Sequence, residues 1–362
     1  MASEKAKYLR LYEALREEIV RGIWPCGARL PSRRQVAQER GLSVITAEHS
    51  YELLCQEGYI EARPRSGFYV IYRASDGFIA APPEHWEQPR PPQTPVPGGE
   101  GDGIPFSVLA RATRRVLADY GESLLEKPPN AGLPALREAL SLYLARNRGI
   151  RAGIGQIVIG AGAEYLYGRV VEMLGRERVY GIESPSYEKI EQVYRARRVT
   201  CELLPLGEDG IRSAALAGTG ATVLHITPFR SYPSGVTASA SKREEYIRWA
   251  AAGDRYIVED DFESEFSLLR KPEETVFSRS AGGNVIYMNT FSRTISPAMR
   301  VGYMVLPEAL TETFERRVGF YSCTVPALEQ AVLTELLNGG DFERHINRIR
   351  RKKRRAAAEG GM

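Results

Sequence analysis

The chain has 362 residues, 43% apolar and 26% charged, with a formal net charge of +4, a globular balance with length enough for two domains and sizeable cores. No run approaches the ~20 apolar residues that cross a bilayer, and the start Met1-Ala-Ser-Glu-Lys5 has no secretory pattern, so a cytoplasmic location and no membrane partner are expected. Cys26, Cys55, Cys201 and Cys323 lie far apart without paired spacing, which argues against a disulfide framework and against a zinc site.

From Lys5 to Arg21, Leu9, Tyr12, Leu15, Ile19 and Val20 recur at helical spacing, and Gly22 can end that helix. A second short helix fits Ser32 to Arg40 and stops at Gly41. Ser43 then reads as the N-cap of a third helix reaching about Glu57. Two strand-like runs follow, Tyr59 to Arg63 and Phe68 to Ile71, joined by Pro64-Arg-Ser-Gly67. Three helices and a hairpin make a winged helix-turn-helix. In such a unit Ser43, Thr46 and His49, on one face of the third helix, are candidate base readers in a major groove. Arg33 and Arg34 are placed for phosphates or a guanine edge, and Arg63 and Arg65 flank a wing tip whose backbone near Gly67 could approach a groove. A winged helix serving only protein interaction is the alternative.

Residues 73–103 are rich in proline and glycine and predict a linker. Beyond it, helices alternate with short β-branched runs at Ile157–Ile159, Arg178–Tyr180, Thr222–Ile226, Tyr256–Val258, Val285–Tyr287 and Tyr303–Leu306, the mark of an α/β domain around a largely parallel sheet. Gly160-Ala-Gly-Ala-Glu164 opens a helix whose N–H groups, at Gly162, Ala163 and Glu164, could cradle a phosphate. Val258-Glu-Asp-Asp-Phe-Glu-Ser-Glu-Phe266 puts acids at the end of a strand, readable as a solvated loop or a cation site. With no histidine nearby, no metal is expected. Residues 348–355 are basic at every position but Ile349, either a solvated helix start or a phosphate contact.

The first 72 residues resemble the DNA-binding domain of the GntR family of bacterial regulators, through Leu30-Pro-Ser-Arg-Arg34, Leu42-Ser-Val-Ile-Thr46, Ser50-Tyr-Glu-Leu-Leu54, Glu57-Gly-Tyr-Ile60 and Gly67-Phe-Tyr-Val70. The resemblance implies double-stranded DNA as partner. His49 stands where many relatives carry arginine.

After the linker, Asn130 to Leu140, Glu183-Ser-Pro-Ser-Tyr187, Tyr232-Pro-Ser-Gly235 and Asn289 to Arg300 resemble, in order, segments of fold-type I aminotransferases. The resemblance implies pyridoxal phosphate as cofactor, with Tyr187 stacking on the pyridine, Asp260 pairing with its nitrogen, and Thr290, Ser292 and Arg300 suited to the phosphate. It places Arg293 where a lysine holds the cofactor as an aldimine. Arginine stays protonated and cannot condense with an aldehyde. Phe262 replaces a tyrosine and Arg230 a histidine of many relatives.

Nearly end to end, the chain resembles the MocR subfamily, a GntR winged helix fused to an aminotransferase-like domain. The reading is therefore a DNA-binding regulator with domains at 1–72, 73–103 (linker) and 104–362. The last is expected to be catalytically inactive, with no catalytic residue, and to hold pyridoxal phosphate at most noncovalently. An amino acid or amine effector and a head-to-tail homodimer are implied by the resemblance. So is a closing C-terminal subdomain after His345-Ile-Asn-Arg348, which the sequence does not contain. The alternatives are an active aminotransferase with an appended winged helix, or a truncated, nonfunctional product.

Overall fold

The computed structural model describes residues 2–73, 103–262, 264–267, 274–280 and 283–359. The chain divides into two compact units, Met1–Thr94 and Pro95–Met362. The boundary falls within residues 74–102, so nearly all of the expected linker lies outside the described residues.

In the first unit, α1 (Ala2–Val20), α2 (Arg33–Glu39) and α3 (Val44–Gln56) precede a hairpin of β1 (Ile60–Arg63) and β2 (Gly67–Val70). Local chemistry sets the helix starts. The Ser32 hydroxyl accepts from Gln35 N–H while the Gln35 side chain accepts from Ser32 N–H, a capping box on α2. Ser43 caps α3 through Thr46 N–H. Leu11, Leu15, Ile19, Val36, Ala47, Tyr51, Leu54, Ile60 and Val70 bury together. The Tyr51 hydroxyl donates to the Pro31 carbonyl at 2.8 Å, which satisfies the polar end of a fully buried ring.

The second unit carries α4 (Phe106–Tyr120), α5 (Pro134–Arg148), β3 (Ile157–Gly160), α6 (Ala163–Leu174), β4 (Val179–Ser184), α7 (Glu188–Ala196), β5 (Thr200–Pro205) and α8 (Ser213–Gly218). It continues with β6 (Val223–Ile226), α9 (Ala240–Ala251), β7 (Tyr256–Asp260), α10 (Val276–Arg279), β8 (Val285–Thr290), α11 (Phe291–Thr294), β9 (Gly302–Val305), α12 (Glu308–Arg317), α13 (Ala327–Asn338) and α14 (Asp341–Glu359).

Seven strands form one sheet in the order β3-β9-β8-β7-β6-β4-β5. The run from β8 to β5 is parallel, and β9 is antiparallel to both its neighbours. All six predicted strands are present; β5, at the sheet edge, has no counterpart among the expected runs. The strands between the edges are buried almost throughout, between a cluster with α4, α5 and α13 and another with α6, α7 and α12, as expected of a sheet covered on both faces. The parallel strands β4, β7 and β8 end at Ser184, Asp260 and Thr290, so these residues gather at one edge of the sheet, where ligands bind in folds of this type.

The basic run 348–355 lies inside α14, not at a helix start. Arg350 Nε donates to the Glu265 carbonyl at 2.6 Å and Lys353 sits 4.5 Å over the Phe266 ring, so part of the run packs back onto its own unit.

Candidate functional site

On the winged helix the structure separates the expected base readers. The Ser43 hydroxyl is engaged by Thr46 N–H at 3.1 Å and lies 2.7 Å from the Thr46 hydroxyl. Thr46 is buried and does not reach the surface of α3, which corrects its reading as a base contact: the capping turn points its side chain inward. His49 is exposed and meets the Tyr8 ring edge-on at 5.8 Å. The exposed residues at the start of α3 are Val44 and Ile45.

Arg33 pairs with Glu48 and lies 5.6 Å over Phe68, so it joins α2, α3 and the hairpin. Arg34 is exposed. At the wing, Arg63 pairs with Glu61 at 2.6 Å and stacks 4.4 Å over Tyr69. Arg65 occupies the turn with φ +61 and Gly67 has φ +112. A Cβ at Gly67 would come within 3.1 Å of Arg29 Nε, so the tip holds a further cation that the sequence pattern does not single out.

The second unit has a cavity of about 380 Å³ at the strand ends, lined by Ala163, Glu164, Tyr167, Tyr187, Ile190, Thr227, Tyr232, Asp260, Phe262, Thr290, Ser292, Arg293 and Arg300, within the size range of small-molecule sites. Eight of the nine residues expected there line it. The ninth, Gly162, caps α6 with φ +87, and a Cβ on it would sit 3.2 Å from Arg300 Nη2. A side chain at Gly162 would be strained by its positive φ and would crowd the Arg300 guanidinium beside the start of α6. Among the described residues no side chain caps that helix start, which leaves its first N–H groups open to an anion.

Asp260 is buried at the base of the cavity. Its Oδ2 accepts from the Tyr167 hydroxyl and lies 3.5 Å from His225 Nε2, while the other nitrogen of His225 is 2.8 Å from the Tyr194 hydroxyl. Asp260 Oδ1 is buried with no hydrogen-bond partner among the described residues. A buried carboxylate oxygen left unpaired is costly, and it is suited to a ring N–H⁺. Desolvation, with the charge of Asp260 adding to it, drives the Tyr167 hydroxyl well above its ordinary value, so that it stays a donor. Tyr187 is exposed at the rim, its ring edge-on to Tyr232 at 6.3 Å. Thr290 and Ser292 cap and close α11 through each other and through the carbonyls of Val301 and Met299.

The other described acids of the 259–265 cluster, Glu259, Asp261 and Glu265, are committed within the protein, and Glu263 lies outside the described residues. Alternation along β7 turns Asp261 away from Asp260, to pair with buried Arg148 and accept from the Tyr287 hydroxyl at 2.7 Å. Glu259 accepts from Val276 and Phe277 N–H. Glu265 accepts from Asn289 Nδ2 at 2.7 Å. Burial pushes the carboxyls of Glu259 and Glu265 up to about 7, with the charge of Asp261 adding to it. The described acids of the cluster are therefore buried and hydrogen-bonded, which corrects their reading as a solvated loop.

Three arrangements in or beside the cavity are not legible in the sequence. Tyr167 and Thr227 come from α6 and from the end of β6, and only the fold brings them beside Asp260. Glu183 is buried, accepts from the Ser231 hydroxyl at 2.7 Å, and is pushed up to about 7 by desolvation. Glu164 lies between Lys189, at 2.9 Å, and Arg300, at 3.7 Å, so a carboxylate already stands beside the arginine expected to hold phosphate. Lys242 is buried and donates to the Ile211 carbonyl and to Ser213.

The profile of the bacterial regulatory proteins of the gntR family matches residues 7–70, and that of aminotransferase class I and II matches residues 96–359. The chain is 30% identical to the probable rhizopine catabolism regulatory protein MocR of Rhizobium meliloti, over 94% of this chain and 74% of that protein. It is 30% identical to the uncharacterized HTH-type transcriptional regulator YdeL of Bacillus subtilis, over 97% and 78%. It is 28% identical to the HTH-type pyridoxine biosynthesis transcriptional regulator PdxR of Corynebacterium glutamicum, over 94% and 75%. Among solved structures, kynurenine aminotransferase of Pyrococcus horikoshii superposes with a TM-score of 0.63 at 25% identity, covering 70% of this chain and 66% of that one. The α-aminoadipate aminotransferase LysN of Thermus thermophilus gives 0.60 at 27%, covering 68% and 64%. The chain thus spans about three quarters of the regulators, and just under two thirds of these aminotransferases.

Proposed function

Because the chain belongs to the MocR-type regulators of the GntR family, in which a winged helix-turn-helix is joined to an aminotransferase-like unit, we propose that its first unit holds specific duplex DNA while its second recognises a small molecule without converting it. No described helix is long and apolar enough to cross a membrane. The reading takes 73–103 as the linker, and it takes the protein to act in the cytoplasm as a homodimer.

The observation that carries the second half of this reading is that Asp260, whose buried Oδ1 has no partner among the described residues, and Arg293 line one cavity. The residues present fit the ring and phosphate of pyridoxal phosphate. Asp260 would take the ring nitrogen, Tyr187 a ring face, and Ser292, Arg300 and the N–H groups of Ala163 and Glu164 the phosphate. They do not fit its covalent attachment, since the guanidinium of Arg293 holds its proton and is no nucleophile. When bound, this cofactor supplies an electron sink for carbanions next to an amine nitrogen. Here the residues would orient and enclose it. An amino acid or amine is the effector class that such a site suits.

The test is to saturate the full chain with pyridoxal phosphate, treat it with borohydride, and map modified peptides by mass spectrometry. The reading expects cofactor that dialysis removes and no stoichiometric lysine adduct. One adduct per chain on a lysine of the second unit would overturn it in favour of an aminotransferase with an appended winged helix.

A further inference from the structure

The start of α3 offers DNA two aliphatic side chains where the sequence pattern predicts hydroxyls. Val44 and Ile45 are 46% and 65% exposed, whereas Thr46 is 6% exposed. The Ser43 hydroxyl is occupied by the cap, and Glu48, one turn after Val44, is held by Arg33. Ile45 and His49 are four residues apart and so share a face, with His49 exposed beside Tyr8.

Two neighbouring β-branched residues partly exposed at the first turn of a helix form a small apolar patch, which gains free energy when a partner covers it. The surroundings identify that partner. Arg29, Arg34, Arg63 and Arg65 are exposed on the same small unit, a cationic setting that complements phosphates. In a major groove the one apolar group that a base pair presents is the C5-methyl of thymine.

We infer that Val44 and Ile45 are specificity-determining residues which read thymine methyl groups, so that the operator half-site carries thymines under the start of α3. Valine and isoleucine have no donor or acceptor for a base edge. They therefore distinguish thymine from cytosine and from uracil by the methyl alone, and cytosine methylated at C5 should partly substitute for thymine. Hydrogen-bonded readout from this helix falls to His49, one turn further on.

The inference rests on DNA binding by this domain, and one experiment separates the two. Half-sites are selected from a random duplex pool with the full chain. The selected duplex is then remade with deoxyuridine at one thymine at a time, which removes a methyl and nothing else. Uracil at each position facing Val44 or Ile45 should weaken binding about fourfold, the worth of one buried methyl. Ile45→Ala and Val44→Ala should erase that discrimination while the salt dependence from the arginines persists. Selected half-sites without thymine, or full affinity on every uracil duplex, would overturn the inference while leaving DNA binding intact. Failure to bind any duplex would overturn both. Circular dichroism of the two variants guards against misfolding, which two exposed positions give no reason to expect.

Discussion

The Tyr167 hydroxyl donates to one oxygen of Asp260 and leaves the other buried with no partner among the described residues. The phenol from α6 fixes the carboxylate at the end of β7, and the second oxygen remains for a ligand. If that division of labour is right, Asp260→Asn should weaken binding of pyridoxal phosphate by tenfold or more, since a charge-assisted bond is worth about 1.5–3 kcal/mol. Tyr167→Phe should cost about 1–3 kcal/mol of stability, because both oxygens of Asp260 then lack a protein hydroxyl. Calorimetric titration reads the first and urea unfolding the second. Unchanged affinity in Asp260→Asn would remove the carboxylate from the ligand site.

The raised Glu183 carboxyl links stability to pH. Desolvation pushes it to about 7, from an ordinary 4.5. Between those values the folded chain holds a proton that the unfolded chain releases. Glu183 therefore lowers stability progressively as pH rises from about 4.5 to 7, by up to about 3 kcal/mol. Glu183→Gln keeps an acceptor for Ser231 and cannot ionise. Its unfolding free energy should fall less than that of the wild type between pH 5 and pH 8, and parallel curves would contradict the assignment.

We propose that Arg34, at the start of α2, and Arg63, beside the wing tip, contact phosphates. Removing both should lower affinity for every duplex and reduce the slope of log K against log salt by about 1 for each phosphate that the variant no longer neutralises. Filter binding at several salt concentrations measures this. A variant that changes base preference but keeps the slope would place them on base edges instead.

Arg148 and Asp261 form a buried pair, with Arg148 also 5.0 Å over the Phe229 ring. Arg148→Met leaves Asp261 without its guanidinium and, among the described residues, with the Tyr287 hydroxyl as its remaining side-chain donor, at a cost of about 3–5 kcal/mol. Adding Asp261→Asn to that variant removes the stranded charge and should recover part of the loss. Denaturant midpoints of the two variants compare them directly.

Much of the fold is legible in the sequence because it depends on local chemistry. Ser43 as an N-cap, the Gly67 turn and the acids closing β7 follow from residue type and spacing. The edge strand β5 is not legible, since Thr200-Cys-Glu-Leu-Leu-Pro205 has only a weak apolar signal and is fixed by pairing with β4. Thr46 is misplaced by its spacing because a face count on a helix does not show which side the neighbouring helices cover. Tyr167, Thr227 and Glu183 lie far from Asp260 in sequence, and the bridging of Lys189 and Arg300 by Glu164 depends on how α6, α7 and the loop before β9 converge. Such contacts arise from topology and carry no local pattern.

In the proposed reading residue 293 decides between recognition and turnover, and absorbance spectroscopy reads that choice. With pyridoxal phosphate added, the wild-type chain should show only the spectrum of free or noncovalently held cofactor. Arg293→Lys should gain the visible band of a lysine-bound cofactor, abolished by borohydride treatment. An equal band in both proteins, reducible in both, would show that residue 293 does not make the difference.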